Sequence, residues 1–150
     1  MSQTEQKPTQ LFRRAYTPEK INKIHEGSAV ERLGIEFTEV GPDFLRARMP
    51  VDERTRQPLG VLHGGSSVVL AETLGSLAGV MCTDEGWTAV GLDINANHLR
   101  AVREGWVTGT CRAVHVGRNT QVWQIDITDE LGRTICVSRM TSAVIPIGRV

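Results

Sequence analysis

Residues 66–82, SSVVLAETLGSLAGVMC, carry one charged side chain, Glu72, in an otherwise apolar run. At 1.5 Å per residue this segment predicts a helix of ~25 Å. Apolar residues occur on nearly every face, so the helix must be enclosed by protein rather than lie on a surface. Gly75 and Gly79 stand one turn apart on one face, and each costs ~1 kcal/mol against Ala inside a helix. Close packing against a sheet or a ligand accounts for both.

The rest of the chain must supply that enclosure. Thr17-Pro18-Glu19 reads as a helix start, and Ser28-Ala29-Val30-Glu31 has the spacing of a capping box. One or two short helices therefore precede Gly34. Ile35 and Phe37 alternate with polar neighbours, and after the turn residues Gly41-Pro42-Asp43 so do Leu45, Ala47 and Met49, up to Pro50. Residues 51–62 read as a loop. Beyond the long helix the pattern is all strand: Val90, Leu92, Ile94 and Ala96 on one apolar face, then runs at about 106–116, 120–128 and 133–145. Consecutive strands favour an antiparallel sheet. One sheet cannot cover a helix on all sides, so a second subunit is expected to cover the remainder. Residues 17–150 form one expected domain, and residues 1–16 an expected disordered tail.

Lys+Arg and Asp+Glu number 17 each, which gives no bulk basic charge for nucleic acid. No stretch reaches the ~18 apolar residues of a membrane span, and the first residues lack a signal-peptide core. Cys82, Cys111 and Cys136 are odd in number and widely spaced, which reads as reduced structural thiols in a cytoplasmic protein. His25, His63, His98 and His115 show no metal-ligand spacing. Gly-x-Ser-x-Gly is absent, so a nucleophile-elbow serine hydrolase is unsupported.

Chemistry concentrates where Gln57-Pro58-Leu59-Gly60-Val61-Leu62-His63-Gly64-Gly65-Ser66 enters the long helix. Bare N–H groups at Gly64 and Gly65 favour an anion or a polarised carbonyl oxygen. The alternative is a plain glycine turn capped by Ser66 or Ser67. Glu72 lies two turns on. A carboxylate buried without a partner raises its pKa and so suits acid–base or nucleophilic work near neutral pH. Its alternative is a subunit-boundary glutamate paired with a neighbour. Ser76 shares the face of Glu72 and could hold a water beside it, or bond back to its own turn. His63 and Gln57 flank the loop. His98 continues the apolar face of its strand, as a ligand-facing or a core histidine. Arg100, Arg103 and Arg118 suit phosphate clamping or plain solvation.

The stretches PVDERTRQPLGVLHGGSSVVLAETLGSLAG, VGLDINANHLRAVREGWVTGTC and HVGRNTQVWQIDI closely resemble the hotdog-fold acyl-CoA thioesterases. The branch they resemble includes the 1,4-dihydroxy-2-naphthoyl-CoA thioesterases of menaquinone synthesis and the proofreading thioesterases of enterobactin synthesis. The resemblance spans about residues 30–145. It implies an α+β hotdog fold, an antiparallel sheet wrapped around one long helix. It also implies a homotetramer with active sites between paired subunits, and hydrolysis of acyl-CoA without metal or cofactor, CoA being part of the substrate. An acyl or aryl carrier protein is a further implied partner.

By the same resemblance Glu72 is the catalytic nucleophile or general base. Gly64 N–H and Gln57 polarise the carbonyl, His63 lies near the carbonyl and leaving thiol, and Ser76 orients water or Glu72. Gly91, His98, Leu99, Arg100 and Ala101, with the loop His115, Gly117, Arg118 and Asn119, receive substrate and CoA. Two rivals stand beside this reading: a hotdog dehydratase acting on 3-hydroxyacyl thioesters, and a non-catalytic acyl-CoA-binding protein.

Overall fold

The computed structural model describes residues 10–150. The N-terminal helices begin where capping chemistry places them. Helix α1 (Pro18–Ile24) starts with Pro at its first position, and the Thr17 hydroxyl accepts the Lys20 amide at 3.3 Å. Helix α2 (Ala29–Arg32) is capped by Ser28, but the box is skewed. Ser28 accepts from the Val30 amide, and Glu31 reaches back to the Gly27 amide at 2.6 Å. Gly34, at φ +69°, closes α2, with Gly34 N–H on the Glu31 carbonyl and Ile35 N–H on that of Val30. That pairing is a Schellman motif.

Six strands follow in the expected order: β1 (Glu36–Val40) and β2 (Phe44–Pro50), then α3 (Gly64–Met81), then β3 (Trp87–His98), β4 (Trp106–Val116), β5 (Thr120–Asp129) and β6 (Thr134–Pro146). They form one antiparallel sheet in the order β1-β2-β4-β5-β6-β3. Alternation sets the inner face: Leu45, Ala47 and Met49 of β2 and Trp123, Ile125 and Ile127 of β5 are buried, against Leu70, Leu74 and Ala78 of α3. This is the hotdog arrangement, with α3 lying in the curve of the sheet.

The two helix glycines are explained by that contact. A Cβ at Gly75 would stand 2.5 Å from Met140 Sδ, and one at Gly79 would stand 2.6 Å from Gln121 Oε1 and 2.8 Å from Ala89 Cβ. Both glycines let α3 approach the sheet closely.

Three expectations are corrected. The long helix begins at Gly64 rather than Ser66, because His63 takes the capping position. The single apolar face expected of β3 is broken at Leu92, which is 63% exposed. The register with β6 shifts between Gly91 and Asp93, so Leu92 is a bulge residue. Ala89 and Gly91 face α3 before the bulge, and Ile94 and Ala96 face it afterwards. As expected of a single sheet, part of the long helix is left uncovered by its own chain: Val68, Glu72, Thr73, Ser76 and Val80 form a half-buried stripe.

The third correction concerns the tail. Residues 11–16 are folded: Phe12 is buried in the core, and the amides of Arg13 and Arg14 both donate to the Met81 carbonyl. The Arg14 guanidinium donates to the carbonyls of Thr83, Asp84 and Trp87. Carbonyls of the turn between α3 and β3 attract such a cation, and its local sequence gives no hint of that distant partner. Residues 1–9 of the expected tail lie outside the described residues.

Candidate active site

The start of α3 is held by backbone and side chain together. His63 N–H donates to the Thr55 carbonyl at 2.8 Å, and the Ser66 hydroxyl donates to the same oxygen at 3.3 Å. His63 Nδ1 accepts the Gly65 amide at 2.8 Å. An accepting Nδ1 places the ring proton on Nε2, which points this histidine outward as a donor. The Ser66 and Ser67 amides turn back to the His63 carbonyl. Gly64 N–H is the one amide of this first turn with no partner among the described residues, and it sits at the positive end of a helix dipole. The expected pair of bare donors is therefore a single one.

Gln57 stands beside it. Its backbone N–H bonds the Val61 carbonyl at 2.8 Å, and its side-chain oxygen accepts the Leu59 amide at 3.4 Å. That leaves the amide hydrogens of Gln57 for a ligand. Gln57, Gly64, His98, Leu99, Arg100 and Ala101 line one cleft of about 360 Å³. The His98 ring packs on Gly64, where a Cβ would stand 2.9 Å from Nε2. Two donors aimed into one cleft can stabilise an oxyanion. The cleft also contains Ser67, read from the sequence only as a possible cap, and Ile135, which the sequence did not single out. The spacing of Ser67 from Gly64, one helical turn, was the available signal.

Glu72 lies elsewhere. It sits on the half-buried stripe of α3 with Ser76 one turn on, and its carboxylate lies against the Cα of Gly91. A side chain on Gly91 would collide with it. No described ion pair includes Glu72, and burial alone pushes its carboxyl above the ordinary glutamate range. Eight residues separate Glu72 from Gly64, which is ~12 Å along the helix axis.

The remaining predicted contacts are at the far end. Gly117, Arg118 and Asn119 line a pocket of about 470 Å³ with Arg13, Trp87 and Gln121, beside the C-terminus of α3. His115 packs on Gly117. One chain thus gathers Gln57, Gly64 and His98–Ala101 at one end of α3, puts Glu72, Ser76 and Gly91 at its middle, and leaves His115–Asn119 at the other end.

Residues 59–136 match the thioesterase superfamily. The chain belongs to that family. It is 53% identical over 135 residues to the 1,4-dihydroxy-2-naphthoyl-CoA hydrolase of Escherichia coli, covering 90% of this chain and 99% of that protein. It is 52% identical over 134 residues to the proofreading thioesterase EntH of Cronobacter turicensis, covering 89% and 98%. A solved thioesterase from Haemophilus influenzae superposes with a TM-score of 0.90 at 56% identity, covering 91% of this chain and 96% of the other. This thioesterase therefore shares fold and length with its relatives, and thioester hydrolysis is the reaction class to which it belongs.

Proposed function

We propose that this thioesterase hydrolyses aryl-CoA thioesters of the 1,4-dihydroxy-2-naphthoyl or benzoyl type, at a site built from two subunits. The observation that carries the proposal is the ~12 Å of helix rise between Glu72 and the Gly64 donor at the start of α3. A reacting carbonyl must touch both the attacking group and its oxyanion donors, each at ~3 Å. Glu72 of one chain cannot reach a carbonyl held on Gly64 of the same chain. It reaches one held on Gly64 of a second chain laid antiparallel, with the exposed edge β3 and the half-buried stripe of α3 at the shared surface. The same pairing would bring His115–Asn119 of one subunit towards the cleft of the other.

In this reaction the thioester carbonyl accepts hydrogen bonds from Gly64 N–H and the Gln57 amide. Glu72 takes a proton from the attacking water, which Ser76 holds, or attacks the carbonyl carbon itself to form a mixed anhydride that water then hydrolyses, freeing the acid and Glu72. The new C–O bond forms, the C–S bond breaks, and the thiolate leaves beside the Nε2–H of His63. Acid and CoA are the products, with no group needed beyond water and these side chains. The name of the Escherichia coli relative supports the aryl substrate and a place in menaquinone synthesis. Cytoplasmic location, a homotetramer of two such pairs and use of carrier-protein thioesters complete the proposal.

The experiment is a thiol-release assay on benzoyl-CoA, aliphatic acyl-CoAs, 3-hydroxyacyl-CoAs and aryl carrier-protein esters. The expected result is release of free thiol with kcat/KM at least tenfold higher for the aryl-CoA, about 1.4 kcal/mol in transition-state binding. Binding without thiol release, or water loss from the 3-hydroxyacyl chain, would replace the proposal with one of its rivals.

A further inference from the structure

Three hydroxyls are buried around the start of α3, and two have partners. Thr55 Oγ1 donates to the Pro50 carbonyl at 2.7 Å, and Ser66 Oγ donates to the Thr55 carbonyl at 3.3 Å. The third is Ser67, 2% exposed. Its amide turns back to His63, but its hydroxyl has no hydrogen-bond partner among the described residues. No side-chain oxygen sealed from solvent lacks a partner among those residues, so the Ser67 hydroxyl must meet the open space beside it. That space is the cleft shared with Gln57 and Gly64. A buried hydroxyl left without a partner is unfavourable, and one that opens on a cleft is poised for a ligand's polar group.

We propose that the Ser67 hydroxyl hydrogen-bonds the first amide of the leaving-group arm, which makes Ser67 a specificity-determining residue for thioesters of amide-bearing thiols. The proposal rests on the thioesterase reading above. Ser67 is three residues beyond Gly64 on the same face, within one turn of the carbonyl's donor. In an acyl-CoA two methylenes separate the sulfur from that amide, so a carbonyl fixed at Gly64 brings the amide to the next turn. Leu62, Ala101 and Ile135 wall the cleft with apolar surface for the methylenes. Arg100 stands exposed at its margin, where the charged remainder of the arm would leave.

The test compares wild type and Ser67→Ala on three benzoyl thioesters: of CoA, of N-acetylcysteamine, which keeps the amide and little else, and of 1-pentanethiol, which has the same length and no amide. Alanine is favoured in helices, so the fold survives the change. The expected result is a fall of about tenfold in the preference for the two amide-bearing esters over the pentanethiol ester, the size of one neutral hydrogen bond. An equal loss on all three esters, or no loss on any, overturns the role of Ser67 while leaving the thioesterase reading intact. A wild-type enzyme that releases thiol from none of them overturns both.

Discussion

The imidazole of His63 accepts the amide hydrogen of Gly65 at 2.8 Å, so one side chain both caps α3 and presents an Nε2–H donor outward. The two roles separate by substitution. His63→Ala loses the cap and about 1 kcal/mol of stability. His63→Asn keeps a capping oxygen but has no imidazole. The expected outcome is a Tm near wild type for His63→Asn, with kcat down about 10²-fold in both variants. Thermal melts beside thiol-release kinetics check it, and full activity in His63→Asn would confine His63 to capping.

The Glu72 carboxyl titrates above the ordinary glutamate range because burial penalises its charge. Its raised value in the folded state favours folding while the group is protonated, and that contribution is lost as pH rises through the folded value. Glu72→Gln is therefore expected to melt higher than wild type at pH 7–8, with the difference vanishing at pH 3–4. The acid limb of kcat/KM, which reports the ionised form, is expected above that of a free glutamate side chain. Melting curves and pH–rate profiles across this range measure both.

Gly79→Ala tests how closely α3 seats on the sheet. Alanine gains ~1 kcal/mol in helix propensity. Its Cβ would meet Ala89 Cβ at 2.8 Å and Gln121 Oε1 at 2.6 Å, and the Gln121 amide is buried and held by hydrogen bonds to the Gly79 carbonyl, Trp123 and Ser142. Overpacking of this kind typically costs 1–3 kcal/mol, so a net loss of stability of up to about 2 kcal/mol is expected in denaturant unfolding. A stabilised variant would mean the helix has slack against β3 and β5.

The succession of strands and the long helix were legible because period-two alternation and an apolar run are local signals, whereas the order of the strands within the sheet was not. Thr17, Ser28 and Gly34 marked helix ends for the same reason. The bulge at Leu92 was not legible, since its alternation with Val90 and Ile94 looks unbroken until β6 fixes the register. Arg13 and Arg14 read as part of a polar tail because their partners, Met81 to Trp87, lie about 70 positions away. At the candidate site, Gln57, His63, Gly64 and Glu72 were singled out through motif and resemblance. The separation of Glu72 from Gly64 by two turns was legible in the sequence, and the helix start at Gly64 sharpens it to ~12 Å of rise.

That separation predicts complementation. Gln57→Ala removes a donor and Glu72→Ala removes the attacking group. If each site takes one from either subunit, a mixed pair holds one doubly defective site and one intact site. Co-expression of the two variants should restore about a quarter of wild-type activity under random two-fold pairing, well above either variant alone. Activity no higher than the separate variants would mean that both groups act within one chain.

The most direct measurement is the rate of benzoyl-CoA hydrolysis by Glu72→Ala, with its far-UV circular dichroism and subunit assembly compared with wild type. The account predicts kcat lower by roughly 10³-fold or more in a protein that is folded and assembled as before. Hydrolysis within tenfold of wild type would contradict it.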